Sequence, residues 1–268
     1  MRSIWLIAVA VFKESVRDRV PYAMVVFAIL LMAASYLIGQ MTAGQDMKII
    51  KDLGLAALAI FGLFIAVFIG IGLVSKEVDK KSVFGLLSKP ISRAQFILGK
   101  YAGLVMTLVV NLGVMTIAYY VVLYYIYLNS SAGIRASWPA PAVDPHLLIA
   151  IGLILAELML VTAIALFFST FSSPLLATLL TLGLWVAGHF NADLRNFETV
   201  TDSAPAVALA RALYYLLPNL APFDVKTEVV YGIAVSMRHV AYTLAYAAVY
   251  VATLLTAAVA IFRRRDFK

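Results

Sequence analysis

The sequence has no cysteine and few charged residues. Without cysteine, the 268-residue chain has no disulfide, no thiolate metal site and no cysteine nucleophile. Only 13% of the residues are charged, whereas a soluble domain carries about 25%. So little charge cannot cover a soluble globule of this length. The 63% of hydrophobic residues and the mean hydropathy of +0.96 indicate a membrane protein.

Three enzyme signatures are missing as well. The sequence contains neither a G-x-S-x-G nucleophile elbow nor an H-E-x-x-H zinc motif. A G-x-x-x-x-G-K-[ST] phosphate loop is also absent, because Tyr101 follows Gly99-Lys100 and Ala94 stands where the first glycine should be. We therefore expect a non-catalytic chain with no metal or cofactor of its own.

Long apolar runs take the place of these features. A helix needs about 20 apolar residues to cross a hydrocarbon core about 30 Å thick. Five runs reach that length, and Glu157 is the acid inside the fourth. A sixth run is shorter but uncharged. We predict an all-α integral membrane protein with one transmembrane domain over residues 1–268, and spans at about 20–41, 53–74, 101–128, 147–168, 174–192 and 240–262.

Two shorter apolar segments flank the spans. Residues 4–12 are too short to cross and charges follow them, so residues 1–19 are predicted to form an interfacial helix that bends near Pro21. Residues 206–217 lie between Pro205 and Pro218, in the long connection before the last span. Twelve residues cannot cross the bilayer. We expect an outer helix that is either re-entrant or lies on the surface.

The distribution of basic residues predicts the orientation. With six spans, about two thirds of the 21 lysines and arginines fall on the side that holds both termini. The positive-inside rule then places both termini in the cytoplasm, in a multi-pass protein of the inner or plasma membrane. The net charge of +7 is explained by this excess of basic residues on the cytoplasmic side. Nucleic acid is therefore not an expected partner.

The cytoplasmic loop between the second and third spans, residues 75–103, has its own pattern. An apolar cluster precedes Lys89-Pro90, where proline breaks the backbone. Ser92 and Gln95 then have capping-box spacing for a new helix. Two interpretations follow from these residues: a basic loop resting on the membrane, or a docking element for a cytoplasmic partner. The apolar cluster is Val83, Phe84, Leu86 and Leu87.

This loop resembles the first cytoplasmic loop of the ABC-2 type permease family. The closing Phe-Arg-Arg-Arg-Asp-Phe of residues 262–267 resembles that family's C-terminal signature, and the order of segments is similar over the whole chain. Residues 216–224 are similar to the branch linked with multicopper-enzyme and nitrous oxide reductase maturation. The loop residues that carry the resemblance are Glu77, Ser82, Leu86, Leu87, Pro90, Ile91, Ser92, Arg93, Phe96, Gly99 and Lys100.

The resemblance implies the permease subunit of an ATP-driven exporter that works by alternating access. It implies a homodimer of permeases and two separate cytoplasmic ATPase subunits, which would bind the ATP and Mg. Two alternatives remain: a mechanotransmitter that acts on an extracytoplasmic protein, and a passive channel or scaffold without an ATPase. The substrate is not indicated. The coupling helix would contact the ATPase through Val83, Phe84, Leu86, Leu87, Pro90 and Arg93.

Glu157 is the candidate functional polar residue inside the membrane. Burying a charged carboxylate there costs several kcal/mol, so such an acid usually has a role. It would contact substrate, carry a proton, or form a hydrogen bond between helices, and the last role is the commonest for a lone acid. His189 lies close in sequence to Asp193, but an interfacial histidine is ordinary and no metal site is predicted.

Overall fold

A computed structural model describes residues 2–40, 46–79, 92–191, 197–199, 201 and 203–264. Within these ranges the chain is helical and contains no strand. Short 3-10 turns lie at Phe197–Thr199 and Ala221–Phe223. The α-helices are α1 (Arg2–Arg17), α2 (Arg19–Gln40), α3 (Asp46–Asp79), α4 (Arg93–Asn129), α5 (Ala132–Ala136), α6 (Leu147–Ser169), α7 (Pro174–His189), α8 (Ala204–Leu216), α9 (Lys226–Val230) and α10 (Met237–Arg264).

Five helices of the described chain are long and apolar enough to cross a membrane. They correspond to five of the predicted spans: Arg19–Leu37, Met47–Ile71, Arg93–Asn129, Leu147–Ser169 and Met237–Phe262. The predicted sixth span corresponds to α7, which has 16 residues. At about 1.5 Å per residue α7 is about 24 Å long, short of the roughly 30 Å that a full crossing requires.

The start of α3 differs from the sequence prediction. The sequence predicts a span from about residue 53, after a charged connection over 42–52, whereas α3 begins at Asp46. Met47 and Ile50 are buried three positions apart, so the first turn packs its apolar face into the core. Lys51 is 1% exposed, and its Nζ donates to the Pro141 carbonyl oxygen over 2.7 Å. This bond supplies the partner that a buried ammonium needs.

α4 and α6 run antiparallel. The Tyr101 hydroxyl near the start of α4 donates to the carbonyl oxygen of Met159, far along α6 (3.2 Å). The Tyr120 hydroxyl near the other end of α4 donates to the carbonyl oxygen of Asp144, just before α6 (2.9 Å). Bonds at two levels fix the relative direction of the two helices.

α10 runs in the same direction as α6. Ala247 shares a buried cluster with Ala156 on α6, and Leu255 shares another with Leu166. Between these two parallel helices the chain has to return to the end of the bundle from which α6 starts. α7 makes the first part of the return, and residues 190–236 make the rest.

The returning chain enters the bundle after α8. Leu220 is buried and Phe223 is 1% exposed, in one cluster with Ala156 of α6 and Ala247 of α10. The Leu220 amide donates to the Gly188 carbonyl oxygen at the end of α7 (3.0 Å). A helix, α8, covers most of residues 206–217, and its place on the outer side stays a prediction. The segment that follows it packs between α6, α7 and α10.

α1 packs along the first part of α4 and runs in the same direction. Gly99 approaches Ile4 and Ile7, and a Cβ at Gly103 would lie 2.6 Å from the Ala8 carbonyl oxygen. The G-x-x-x-G spacing of these two glycines therefore provides a close helix contact. A separate helix, α1, precedes α2, and the predicted interfacial location of this segment stays a prediction.

Candidate functional site

The coupling contact predicted from the sequence falls mostly outside the described residues. Arg93 is described, and it begins α4. The predicted capping box is confirmed: Ser92 Oγ accepts from the Gln95 amide (3.2 Å), and Gln95 Oε1 accepts from the Ser92 amide (3.1 Å). A fixed helix start therefore follows the loop. The predicted contact residues that lie outside the described chain are Val83, Phe84, Leu86, Leu87 and Pro90.

Arg93 joins the start of α4 to the end of α10. Its Nη1 donates to the Phe262 carbonyl oxygen over 2.8 Å, which satisfies a carbonyl in the last turns of α10. The Phe96 and Phe262 rings stack with centroids 5.8 Å apart and planes 14° apart. Lys100 Nζ lies 4.8 Å from the centroid of the Phe96 ring, within range of a cation–π interaction.

Three helices therefore meet at one end of the bundle. The first turns of α1 contact Gly99, and the last turns of α10 contact Arg93 and Phe96. Close packing and direct hydrogen bonds make a stiff connection, because packed interiors transmit displacement rather than absorb it.

A second polar site lies inside the bundle, around Glu157. The residue is 6% exposed. The Trp185 indole Nε1 donates to Glu157 Oε1 over 2.7 Å, and His189 Nε2 lies 3.5 Å from the same oxygen. Trp185 and His189 are one turn apart on α7, with ring centroids 4.7 Å apart. Glu157 thus holds the end of α7 against the middle of α6.

His189 also contacts its own helix. Its Nδ1 lies 3.1 Å from the Trp185 carbonyl oxygen, one turn earlier on α7. The ring therefore lies between that carbonyl and Glu157, with one nitrogen toward each.

The returning segment brings further polar groups to this site. Lys226 Nζ lies 3.4 Å from Asp224 Oδ2, and both groups are close enough to act electrostatically on Glu157. The Asn219 amide donates to the Tyr246 hydroxyl over 2.9 Å, which connects the segment to α10. The cluster therefore includes groups from α6, α7, α10 and the chain between them.

Sequence reasoning found Glu157 but not its partners. It placed His189 beside Asp193, which lies outside the described residues, whereas the ring faces Glu157. The four-residue spacing of Trp185 and His189 puts both side chains on one face of α7. That spacing is the feature of the sequence from which a shared polar contact could have been predicted. In the described chain, no three histidine, aspartate or glutamate side chains come together as metal ligands.

Comparison with known families agrees with this architecture. The model of the ABC-2 family transporter protein family matches residues 5–267, nearly the whole chain. No curated protein matches the chain. The link to the branch associated with multicopper-enzyme maturation stays a prediction. Members of the matched family are generally non-catalytic, multi-pass membrane subunits that partner with cytoplasmic ABC ATPases. With its five long apolar helices, this chain belongs to the ABC-2 transporter family.

Proposed function

We propose that the chain is the permease subunit of an ABC exporter and that a separate cytoplasmic ATPase drives it by alternating access. The family match over residues 5–267 carries this proposal. The sequence contains no G-x-x-x-x-G-K-[ST] motif, so ATP hydrolysis requires another chain. Two copies of the permease would pair with two ATPase subunits, each of which binds ATP and Mg.

The junction at the start of α4 supports a coupling role for the loop before it. Closure of the ATPase dimer would displace the loop, and the capped helix start at Ser92 would pass the displacement into α4. Through Arg93 and Phe96 the end of α10 would follow. α10 contacts α6 and the returning segment farther along, so the motion would reach the Glu157 cluster.

The directions of the helices support a layout in which both termini lie in the cytoplasm. The first turn of α1 and the last turns of α10 lie at the Arg93 end of α4. This arrangement requires an even number of crossings, and α7 with the returning segment provides the sixth. The basic residues before α2, before and at the start of α4, and at the end of α10 support assigning that end to the cytoplasm.

Co-purification tests the proposal. The chain is co-expressed with a candidate ABC ATPase subunit from the same source, extracted in a mild detergent, and captured through a tag on the permease. We expect the ATPase to be captured with the native chain and to be reduced at least tenfold with Leu87→Asp. Ile134→Asp, an equally drastic change at an exposed residue of α5, is the matched control and should leave capture unchanged.

Arg93 requires a gentler substitution, because its side chain also bonds to α10. Arg93→Lys keeps the positive charge but loses the planar guanidinium group that bonds to α10. The variant therefore separates loss of ATPase binding from loss of the α4–α10 contact. If Leu87→Asp still captures the ATPase, the contact residues are wrong while the permease role stands. If the native chain captures no ATPase, a channel or scaffold becomes the better account.

A further inference from the structure

An aromatic pocket with one arginine lies at the opposite end of α4 from Arg93. α4 contributes Tyr124 and Tyr127, and α5 contributes Arg135. None of the described residues that line this Arg135 pocket is acidic. The connection from α5 to α6 forms the rest of its wall, which consists of Trp138, Pro139, Ala140, Pro141, Ala142 and Val143.

Arg135 is held in one orientation, with part of its guanidinium group free. Its Nε donates to the Ser130 carbonyl oxygen over 2.9 Å, and its Nη2 donates to the Leu128 carbonyl oxygen over 3.4 Å. The guanidinium carbon lies 4.2 Å from the centroid of the Tyr127 ring. A guanidinium group has five N–H donors, and the described chain uses two of them. The other three are available to a ligand.

The remaining polar side chains of the pocket are free to donate as well. In the part of the chain that the structure describes, the Trp138 indole N–H and the hydroxyls of Tyr124 and Tyr127 have no hydrogen-bond partner. Pro141 has no N–H, and its carbonyl oxygen already accepts from Lys51. A carboxylate or phosphate group accepts hydrogen bonds from every free side-chain group of this pocket.

The charges around the pocket also favour an anion. Within the described ranges Arg135 forms no ion pair. The end of α4 carries only about half a negative charge, so a net positive charge remains. Lys51 adds a positive charge behind Pro141, and Asp144 offsets it. Asp144 is 5% exposed, and its Oδ1 accepts from the His146 amide, so this acid is engaged behind the wall.

The depth of the pocket in the bilayer selects a lipid as the source of that anion. From Tyr101 to Leu128, α4 has 28 residues without a charge, which at about 1.5 Å per residue extend about 42 Å. A bilayer measures about 30 Å across its hydrocarbon core and about 40–45 Å with both head-group layers. Tyr124 and Tyr127 lie within about 6 Å of the end of that stretch, and therefore at the depth of the head groups.

An apolar stripe of α4 leads from the pocket toward the middle of the bilayer. Val114, Ile117 and Val121 are 46%, 67% and 60% exposed. They are spaced by three and four positions, as is Tyr124 after Val121, so all four side chains lie on one face. A molecule whose phosphate contacts Arg135 can therefore lay a hydrocarbon chain along this face.

We propose that the Arg135 pocket binds the head group of an anionic phospholipid, with the phosphate on Arg135 and an acyl chain along Val114, Ile117 and Val121. The lining has no acid to pair with an ammonium group. Arg135 also occupies a face of the Tyr127 ring on which a choline group could otherwise bind. The proposal requires α4 to cross the bilayer, but it depends neither on transport nor on which side is the cytoplasm.

Photolabelling in vesicles tests the site. The full chain is reconstituted in phosphatidylcholine vesicles that contain a small fraction of phosphatidylglycerol with a diazirine on its head group. After illumination, mass spectrometry locates the labelled peptides. We expect adducts within residues 124–143, and at least fivefold fewer with a phosphatidylcholine probe that carries a diazirine on its head group.

Two arginines provide a matched pair of variants. Arg135 lines the pocket, whereas Arg238 is exposed near the start of α10 and does not line it. Arg135→Gln should reduce labelling of residues 124–143 at least fivefold. Arg238→Gln, which removes the same charge, should leave it within twofold of the native chain.

A second set of variants leaves the bonds of Arg135 to the end of α4 in place. Tyr124→Phe combined with Tyr127→Phe removes two free hydroxyls and keeps both rings, and should reduce the labelling at least twofold. Tyr125→Phe is the control, because Tyr125 is 55% exposed on the same helix and does not line the pocket. This set decides the question if Arg135→Gln does not elute as a folded species.

The proposal fails on any of three results. Equal labelling of the pocket variants and their controls would mean that the adducts report general contact with head groups. Equal labelling by both probes would remove the preference for an anionic lipid. Loss of the adducts in excess soluble glycerol phosphate would assign the pocket to a soluble anion.

Discussion

At the scale of single residues, the sequence identifies Glu157 because a charge inside an apolar run stands out. Its partners depend on the rotation of α7 about its own axis, which tertiary packing sets. Trp185 looked like one more apolar residue of a short helix. Its indole in fact supplies the donor that a buried carboxylate needs, at 2.7 Å.

Trp185→Phe removes this donor and keeps an aromatic ring. A hydrogen bond to a buried carboxyl group is worth about 1.5–3 kcal/mol when that group is charged. A loss of about 2 kcal/mol would lower the unfolding midpoint by about 4–8 °C for a chain of this size. The midpoint in detergent, followed by tryptophan-independent static light scattering, measures the change.

A double-mutant cycle attributes the loss to the pair. Glu157→Met removes the acceptor and Trp185→Phe removes the donor, so each should destabilise the protein, and the double variant should lose less than their sum because both remove the same contact. Effects that add fully would show that Trp185 acts through packing and that its bond to Glu157 contributes little.

At the scale of helices, a short-range signal in the sequence predicts the start of α4. The Ser92–Gln95 capping box was predicted correctly, because the bonds of a capping box form within one turn. The start of α3 was not, because Asp46, Lys48 and Lys51 outweighed the buried Met47 and Ile50 in a reading by composition. The carbonyl that accepts from Lys51 belongs to Pro141, 90 positions away, and no local pattern reveals it.

The contact between α1 and α4 gives a prediction at this scale. In Gly103→Ala the new methyl group would meet the Ala8 backbone and Val11, and backbone cannot turn aside as a side chain can. Overpacking of this kind costs about 1–3 kcal/mol. We expect a lower unfolding midpoint and freer labelling of a cysteine introduced at Ile7.

Gly113 provides the control on the same helix. A Cβ there meets nothing within 4 Å, so Gly113→Ala changes helix propensity alone and should leave the midpoint unchanged or slightly raised. If Gly103→Ala and Gly113→Ala had the same unfolding midpoint, the close contact between α1 and α4 would be refuted.

At the scale of the whole molecule, both the family and the membrane-spanning character follow from the sequence. A helix must have a long apolar run to cross the bilayer, so the length of each run is read directly. The number of crossings does not follow from the sequence, because α7 is too short to decide by length. The proposed sixth crossing rests on the direction of α10 relative to α6, and that direction appears only in tertiary contacts.

Single cysteines test the layout, and each is a unique reporter because the native chain has none. Ile134 and Tyr231 are exposed residues of the proposed outer side, and Ser92 is an exposed residue of the opposite side. A membrane-impermeant maleimide should label Ile134→Cys and Tyr231→Cys in right-side-out vesicles, and Ser92→Cys at least tenfold better in inverted vesicles. Labelling of Tyr231→Cys together with Ser92→Cys would rule out the proposed return through α7.

The start of α1 and the end of α10 both pack against the first turns of α4, which makes a head-to-tail fusion feasible. In the proposed layout, a linker from the end of α10 in one copy to the start of α1 in the next stays on one side of the bilayer and needs no additional crossing. Such a tandem chain allows asymmetric substitution. One half can carry Glu157→Gln while the other keeps the native residue, which shows whether a pair of permeases needs one intact cluster or two.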